Sequence, residues 1–318
     1  MIVLAGPTAS GKTDLAAALA LKIGGEVISA DSRQVYRHLD AATAKPSLSL
    51  RAKVPHHLID VADPSETYDA GRFAKDAAAA IADIRARGKV PIVCGGTGLY
   101  LRALIEGLSP LPQRNEEIRA RLEALAKKHG VESLHARLKK IDAKAAEGIP
   151  PANIARVIRA LEVFELTGKP LSSHWAEGRS GGLTPSAVLC LEVPNDVLRS
   201  RIESRAKDMW PRLLAEVRSL VPSRYRGDEP GFTSLGYREA VAVLEGDMTE
   251  EDGLAELLRE THAYSKRQRT WFRHQLPGAV AVDAGESPER TLASALAALE
   301  ASTVVNDSIL VNNGDRIR

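Results

Sequence analysis

The chain has 318 residues, 44% of them hydrophobic and 26% charged, with a formal net charge of +2. That composition suits a soluble globular protein of one large or two smaller domains, and the net charge alone gives no case for nucleic-acid binding. No apolar stretch approaches the roughly 20 residues that cross a bilayer, and no basic leader precedes the first strand, so a cytoplasmic protein without a membrane partner is expected.

The apolar run Ile2 to Ala5 predicts a buried strand and is followed by Gly6-Pro7-Thr8-Ala9-Ser10-Gly11-Lys12-Thr13, then an alanine- and leucine-rich helix from Asp14 to Lys22. Strand, G-x-x-x-x-G-K-[ST] and helix in that order form a phosphate-binding loop. The glycines let backbone N–H groups close on phosphate oxygens, Lys12 reaches terminal phosphates, and the Thr13 hydroxyl can hold Mg²⁺. Taken alone, the loop suggests ATP or GTP. A second strand, Val27 to Ser29, leads into Asp31-Ser32-Arg33-Gln34-Val35-Tyr36. Strand C-termini of a parallel sheet share one edge, so Asp31 is placed to face the bound phosphate compound, unless it serves only as a turn or helix cap. His56 and His57 are adjacent and point to opposite faces of a strand, which suits them poorly as joint metal ligands.

A helix is expected from Ala70 to Arg87, and then a strand, Val90 to Cys94, which ends in Gly95-Gly96-Thr97-Gly98-Leu99-Tyr100. A nucleotide hydrolase would carry an acid there to organise Mg²⁺ and water; its absence weakens that reading. Cys94 and Cys190 sit in apolar runs with no metal-ligand spacing and read as buried thiols. Beyond Ser109-Pro110-Leu111-Pro112 the apolar spacing turns to threes and fours, so residues 113–180 read as a helical insertion, and they carry the basic excess of the chain. Arg156 and Arg159 share a helix face there.

Ala187 to Val193 returns to a strand, followed by helices over Asp196 to Ser219, Gly236 to Leu244 and Glu250 to His274. The fold expected is α/β, a parallel sheet core over 1–112 and 181–300 with C-terminal helices, and a flexible tail over 301–318. Arg201 and Arg205 lie four apart on one helix face, suited to a polyanion or simply to solvent. In Lys266-Arg267-Gln268-Arg269-Thr270-Trp271-Phe272-Arg273, cations alternate with an amide, a hydroxyl and two aromatics, as in proteins that hold unstacked RNA. The alternative is an amphipathic helix that buries Trp271 and Phe272.

The phosphate loop, Asp31 to Tyr36, Pro55-His56-His57-Leu58, Gly95 to Tyr100, Arg159-Ala160-Leu161-Glu162-Val163, Gly236-Tyr237-Arg238-Glu239 and Lys266 to Trp271 together resemble the tRNA dimethylallyltransferase family, in order over residues 1 to about 275. The resemblance implies a P-loop kinase-like core with an inserted helical domain that clasps a tRNA anticodon stem-loop. It implies transfer of a dimethylallyl group from dimethylallyl diphosphate to N6 of adenosine 37 in tRNAs reading codons that start with U. Asp31 is then the base and Thr8 a donor to the bridging oxygen. Gly6 to Thr13 with Arg201 and Arg205 hold the diphosphate, with Mg²⁺ at Thr13. The tRNA contacts implied are Asp31, Ser32, Arg33, Gln34, Thr97, Arg119, Arg156, Arg159, Gly236, Tyr237, Arg238, Lys266, Arg267, Gln268, Thr270, Trp271 and Arg273. A monomer is expected. The chain departs from the family at Asp142-Ala143, where Asp-Pro is usual, and at Trp210-Pro211-Arg212, where a small, glycine-containing stretch is commoner. The rival readings are a small-molecule kinase using ATP, a dimethylallyltransferase acting on free adenine nucleotides, and an RNA-binding module that merely senses a nucleotide.

Overall fold

A computed structural model describes residues 1–276 and 278–314, with 303–314 entering only as helical backbone. Six parallel strands, β1 (Ile2–Ala5), β2 (Gly25–Ser29), β3 (His56–His57), β4 (Val90–Gly95), β5 (Ala187–Glu192) and β6 (Val280–Asp283), form one sheet in the order β3-β2-β4-β1-β5-β6. Every residue of β1 is buried, as expected of a central parallel strand covered on both faces. Its alternate side chains serve two cores. Val3 and Ala5 join Ile28, Val93, Phe73 and Trp210 on one face, and Leu4 joins Leu15, Leu19, Ile92 and Leu189 on the other.

The helices in chain order are α1 (Lys12–Ile23), α2 (Leu48–Lys53), α3 (Ala70–Ala86), α4 (Gly98–Glu106), α5 (Glu116–His129), α6 (Val131–Ile141), α7 (Ala143–Gly148), α8 (Ile154–Thr167), α9 (Leu171–Ala176), α10 (Asn195–Leu220), α11 (Tyr237–Glu245), α12 (Glu250–Gln275) and α13 (Pro288–Gly314). On the first face α3 and α4 meet through stacked rings of Phe73 and Tyr100, 4.4 Å apart at their centroids. α1 and α13 cover the other. Helix α10 runs unbroken through Pro211, and Trp210 packs so closely over Gly253 of α12 that a Cβ there would lie 2.8 Å from the indole. From residue 301, where a flexible tail is expected, α13 continues as far as Gly314; residues 315–318 lie outside the described residues. Both cysteines are free, and burial pushes the thiol of Cys94 up to about 12 and that of Cys190 up to about 11. No helix among the described residues is long and apolar enough to cross a membrane.

The chain divides into two compact units, Met1–Ile105 with Leu183–Arg318, and Glu106–Gly182. The helical insertion begins at Glu106 rather than 113 because its two ends are tied by a bridge in which Leu108 and Ser180 exchange both backbone hydrogen bonds at 3.2 Å. Inside it, Leu122, Leu134, Leu138, Val157 and Leu161 form its own core, as their spacing predicts. The departure at Ala143 leaves the helix start intact: Asp142 caps α7 through Ala145 N at 3.0 Å and also accepts from Ser172 N at 2.8 Å. Proline at that first helical position would cost no hydrogen bond, and alanine costs none either.

The same unit buries one carboxylate completely. Glu162 accepts from Arg159 at 2.8 Å, Arg119 at 3.3 Å and the backbone of Asn115 at 2.6 Å. Burial alone would raise its pKa, but these donors leave it below the usual carboxylate range. Glu162→Ala should cost this unit about 3–5 kcal/mol, because it strands two partly buried guanidinium groups. Chemical denaturation checks this, and a loss within about 1 kcal/mol, the worth of an exposed pair, would show that solvent already satisfies both arginines.

Candidate active site

The phosphate loop lies at the C-terminal end of β1, where the chain leaves toward β2 and β4 on one side and β5 extends the sheet on the other. Such a switch point forms a crevice at the strand ends. The loop turns through Ala9, a non-glycine residue at φ 62°, and Gly11 at φ 83°, a strain typical of functional loops. Gly11 is the N-cap of α1 and no side chain caps the helix, so its first N–H groups and dipole are free to serve an anion. Lys12 Nζ donates to Pro7 O at 3.2 Å, which curls the side chain back over the loop.

Asp31 follows β2 on the same sheet edge. Its Oδ1 accepts from Arg33 N at 2.9 Å, the turn expected of this residue, and that bond fixes the carboxylate while leaving its second oxygen for chemistry. The turn is braced on the segment after β4 by Thr97, whose Oγ1 accepts from Ser32 N at 3.0 Å. Burial lowers the pKa of Lys12, opposed by nearby Asp31 and aided by Arg205. Burial likewise lowers that of Arg205, again opposed by Asp31. Two cations thus share one carboxylate, and an incoming diphosphate would relieve the excess positive charge. Arg201, one turn earlier on α10, is tethered to Ala284 O at 3.3 Å.

Helix α12 closes the site. The buried side chain of Gln268 donates to Gly96 O at 2.7 Å and accepts from Thr8 N at 2.8 Å, so one amide joins the phosphate loop to the end of β4. The glycines after β4 make this approach feasible. A Cβ at Gly96 would collide with the Gln268 amide, and one at Gly98 would stand 2.5 Å from the Trp271 ring. These walls bound a cavity of about 1030 Å³ whose lining includes Thr8, Lys12, Thr13, Asp31, Arg201 and Arg205. Its apolar wall continues along α10 through Ile202, Ala206 and Met209 to Leu257 and Phe272. A polar end for phosphates, a carboxylate, and an apolar flank therefore occupy one space.

Comparison with known proteins places the chain in a family. Family models described as IPP transferase and isopentenyl transferase match residues 34–275 and 1–54. The tRNA dimethylallyltransferase of Myxococcus xanthus is 47% identical over 282 residues, covering 88% of this chain and 91% of that protein. That of Halorhodospira halophila is 45% identical over 284 residues, covering 87% and 91%. The chain belongs to the tRNA dimethylallyltransferase family. Among solved structures, the tRNA isopentenylpyrophosphate transferase of Bacillus halodurans superposes with a TM-score of 0.69 at 36% identity, covering 96% of this chain and 98% of that one. A eukaryotic dimethylallyltransferase acting on tRNA gives 0.75 at 30% identity, covering 90% and 74%.

Within the dimethylallyltransferase site, the residues expected to touch tRNA divide by exposure. Ser32, Arg33, Thr97, Arg267 and Trp271 line the cavity, while Lys266, Thr270 and Arg273 are exposed on another face of α12 beside the half-buried Arg269. Along α12 Gln268 and Phe272 are buried, Trp271 is half-buried, and Lys266, Arg267 and Arg273 are exposed, so of the two aromatics that an amphipathic helix would bury only Phe272 is fully inside. In three cases a side chain expected to bind tRNA is engaged inside the protein. Gln34 accepts from Ser29 Oγ at 2.8 Å and donates to Ala44 O at 2.9 Å, Gln268 makes the bridge described above, and Tyr237 is wholly buried with its hydroxyl donating to Glu216 at 2.5 Å. Gly236 precedes α11 at φ 92°, and the exposed Arg238 pairs with the buried Glu239 at 2.6 Å. In the 106–182 unit, Arg156 is exposed, whereas Arg119 and Arg159 hold Glu162.

Sequence reasoning passed over Glu216 and Tyr264. Burial raises Glu216 above the usual carboxylate range even though Tyr237 and the backbone of Ala41 and Asp40 donate to it. It pins the 40–44 loop that forms one cavity wall. Its position between Leu213 and Val217, on the apolar face of α10, was the available signal. Tyr264 lines the cavity one turn before Gln268, with the Arg267 guanidinium 5.9 Å from its ring centroid.

Proposed function

We infer that this protein transfers the dimethylallyl group of dimethylallyl diphosphate to N6 of adenosine 37, beside the anticodon, in tRNAs that read codons starting with U. The observation that carries the reading is Asp31 set opposite the phosphate loop in one cavity, with Lys12 and Arg205 in electrostatic reach of its carboxylate. The exocyclic amine of adenine is a poor nucleophile because its lone pair is delocalised into the ring. As N6 attacks C1 of the dimethylallyl group, the C1–O bond breaks, diphosphate leaves, and the N6 proton passes to Asp31. Charge growing on the departing diphosphate meets the loop amides, Lys12, Arg205 and Arg201, and the Thr8 hydroxyl donates to the bridging oxygen.

The oxygen donors at the loop's end suit a hard cation. Among the described residues no three His, Cys, Asp or Glu side chains gather into a protein-built cage, so Thr13 with the diphosphate's own oxygens would hold Mg²⁺. When bound, Mg²⁺ supplies further neutralisation of the leaving group. The base must leave the anticodon-loop stack, at roughly a few kcal/mol that protein contacts offset. The exposed cations of α12 and Arg156 are the contacts proposed for the anticodon stem-loop, with Trp271 offering a ring to an unstacked base. The protein is proposed to act as a monomer.

Incubation with dimethylallyl diphosphate, Mg²⁺ and unmodified tRNA, beside parallel reactions with ATP and with free adenosine monophosphate, tests the reading by nucleoside analysis. Prenylated adenosine in tRNA alone is expected; consumption of ATP without it would replace this reading with a kinase. Arg267→Ala should weaken tRNA binding and reduce the slope of log affinity against log salt by about 1, with turnover at saturating tRNA little changed. An unchanged slope in a filter-binding titration would remove Arg267 from the phosphate contacts.

A further inference from the structure

β3 presents two histidines, of which one is paired with a carboxylate. His57 Nε2 lies 2.7 Å from Glu26 Oε2, a carboxylate also held by Arg87. His56 points the other way. Its Nδ1 lies 2.7 Å from Val54 O, and because a carbonyl only accepts, Nδ1 carries the ring proton and Nε2 keeps a bare lone pair. That Nε2 is buried and has no hydrogen-bond partner among the described residues. Burial holds His56 below the usual imidazole range, so the ring stays neutral rather than gaining a second proton.

The ring borders a small cavity of about 20 Å³ lined also by Lys12, Thr13, Ser29, Asp31, Gln34 and Cys94. About 10–15 Å³ with two to four polar partners suffices for one water, and nothing larger fits. The lining is the rear of the active site: Thr13 ends the phosphate loop and Asp31 follows β2. Ser29 Oγ gives its proton to Gln34 Oε1, so toward the cavity it offers only lone pairs. The unfilled requirement at His56 is a donor, and Asp31 on the same lining offers carboxylate oxygens that accept.

We propose that His56 is a positioning residue for Asp31: its Nε2 accepts a hydrogen bond from one water in this cavity, and the second proton of that water binds the Asp31 carboxylate. The water, with Arg33 N, then fixes the angle of the carboxylate from the side away from substrate. The inference rests on the reading of Asp31 as base. It adds a residue on the edge strand to the machinery, acting without touching either substrate.

The test compares His56→Phe, which keeps a ring of similar size without the acceptor, with His56→Gln, whose amide oxygen reaches the position of Nε2. His56→Phe should lower kcat about tenfold or more, with the KM for dimethylallyl diphosphate and the Kd for tRNA within about threefold, and His56→Gln should recover most of the loss. In an Asp31→Asn background, His56→Phe should add nothing. A high-resolution crystal structure of the unaltered protein should show a water within hydrogen-bond distance of both His56 Nε2 and Asp31, and this arm stands even if a variant fails to fold. Equal losses in both variants, a full additional loss in the Asp31→Asn background, or no such water would each overturn the proposal. If Asp31→Ala turns over normally, the base reading fails; if it is inactive while His56→Phe is fully active, only the present inference fails.

Discussion

Asp31→Ala should reduce dimethylallyl transfer by about 10²–10⁴-fold while tRNA affinity stays within a few-fold of the unaltered protein. The asymmetry follows from the place of the carboxylate. One oxygen is committed to Arg33 N, which keeps the turn in shape, and the residue lines the cavity, where a free carboxylate oxygen would serve the transition state more than the bound ground state. Asp31→Asn separates the two jobs, since its amide oxygen still accepts from Arg33 N but no longer takes a proton. It should be as inactive as Asp31→Ala and fold better. Single-turnover prenylation with enzyme in excess, paired with tRNA binding, measures both quantities. Turnover near the unaltered rate in either variant would remove Asp31 as the base.

Gln268→Leu should affect the protein in a different pattern. Leucine fills similar volume but leaves Thr8 N and Gly96 O without their amide partner, each worth about 1–3 kcal/mol when buried and bare. Melting temperature and the KM for dimethylallyl diphosphate should both worsen, because the phosphate loop loses its tie to β4. The Kd for tRNA should move least. Were Gln268 instead a direct tRNA contact, as its motif alone suggests, tRNA affinity would fall and the melting temperature would hold. Calorimetry and a binding titration on one preparation separate the two outcomes.

That contrast explains how far the site was legible in the sequence. The phosphate loop and Asp31 were readable because their function depends on local spacing next to a buried strand: β1 and β2 both appear as short apolar runs followed by polar residues. Gln268 was not, because its partners Thr8 and Gly96 are 260 and 172 positions away, and an amide on a helix looks alike whether it meets a base or a backbone. Tyr237 misled for the same reason, its hydroxyl being claimed by Glu216 on another helix. In the fold, β6 escaped notice since only Val282 of its four residues is buried, leaving no alternation to read. β3 is two residues long. α13 runs on beyond residue 301, where a tail is expected, to Gly314. The phosphate loop that invites a nucleotide reading therefore depends for its assignment on what stands across from it.

The most direct measurement is to locate the transferred group. Unmodified tRNA reading a codon that starts with U is incubated with the protein, dimethylallyl diphosphate and Mg²⁺, then cut with a base-specific nuclease and its fragments weighed by mass spectrometry. One dimethylallyl group on the fragment containing adenosine 37, lost when that position is changed to guanosine, is the predicted result. A group at another position, on free adenine nucleotide only, or diphosphate released without any prenylated fragment would contradict the account.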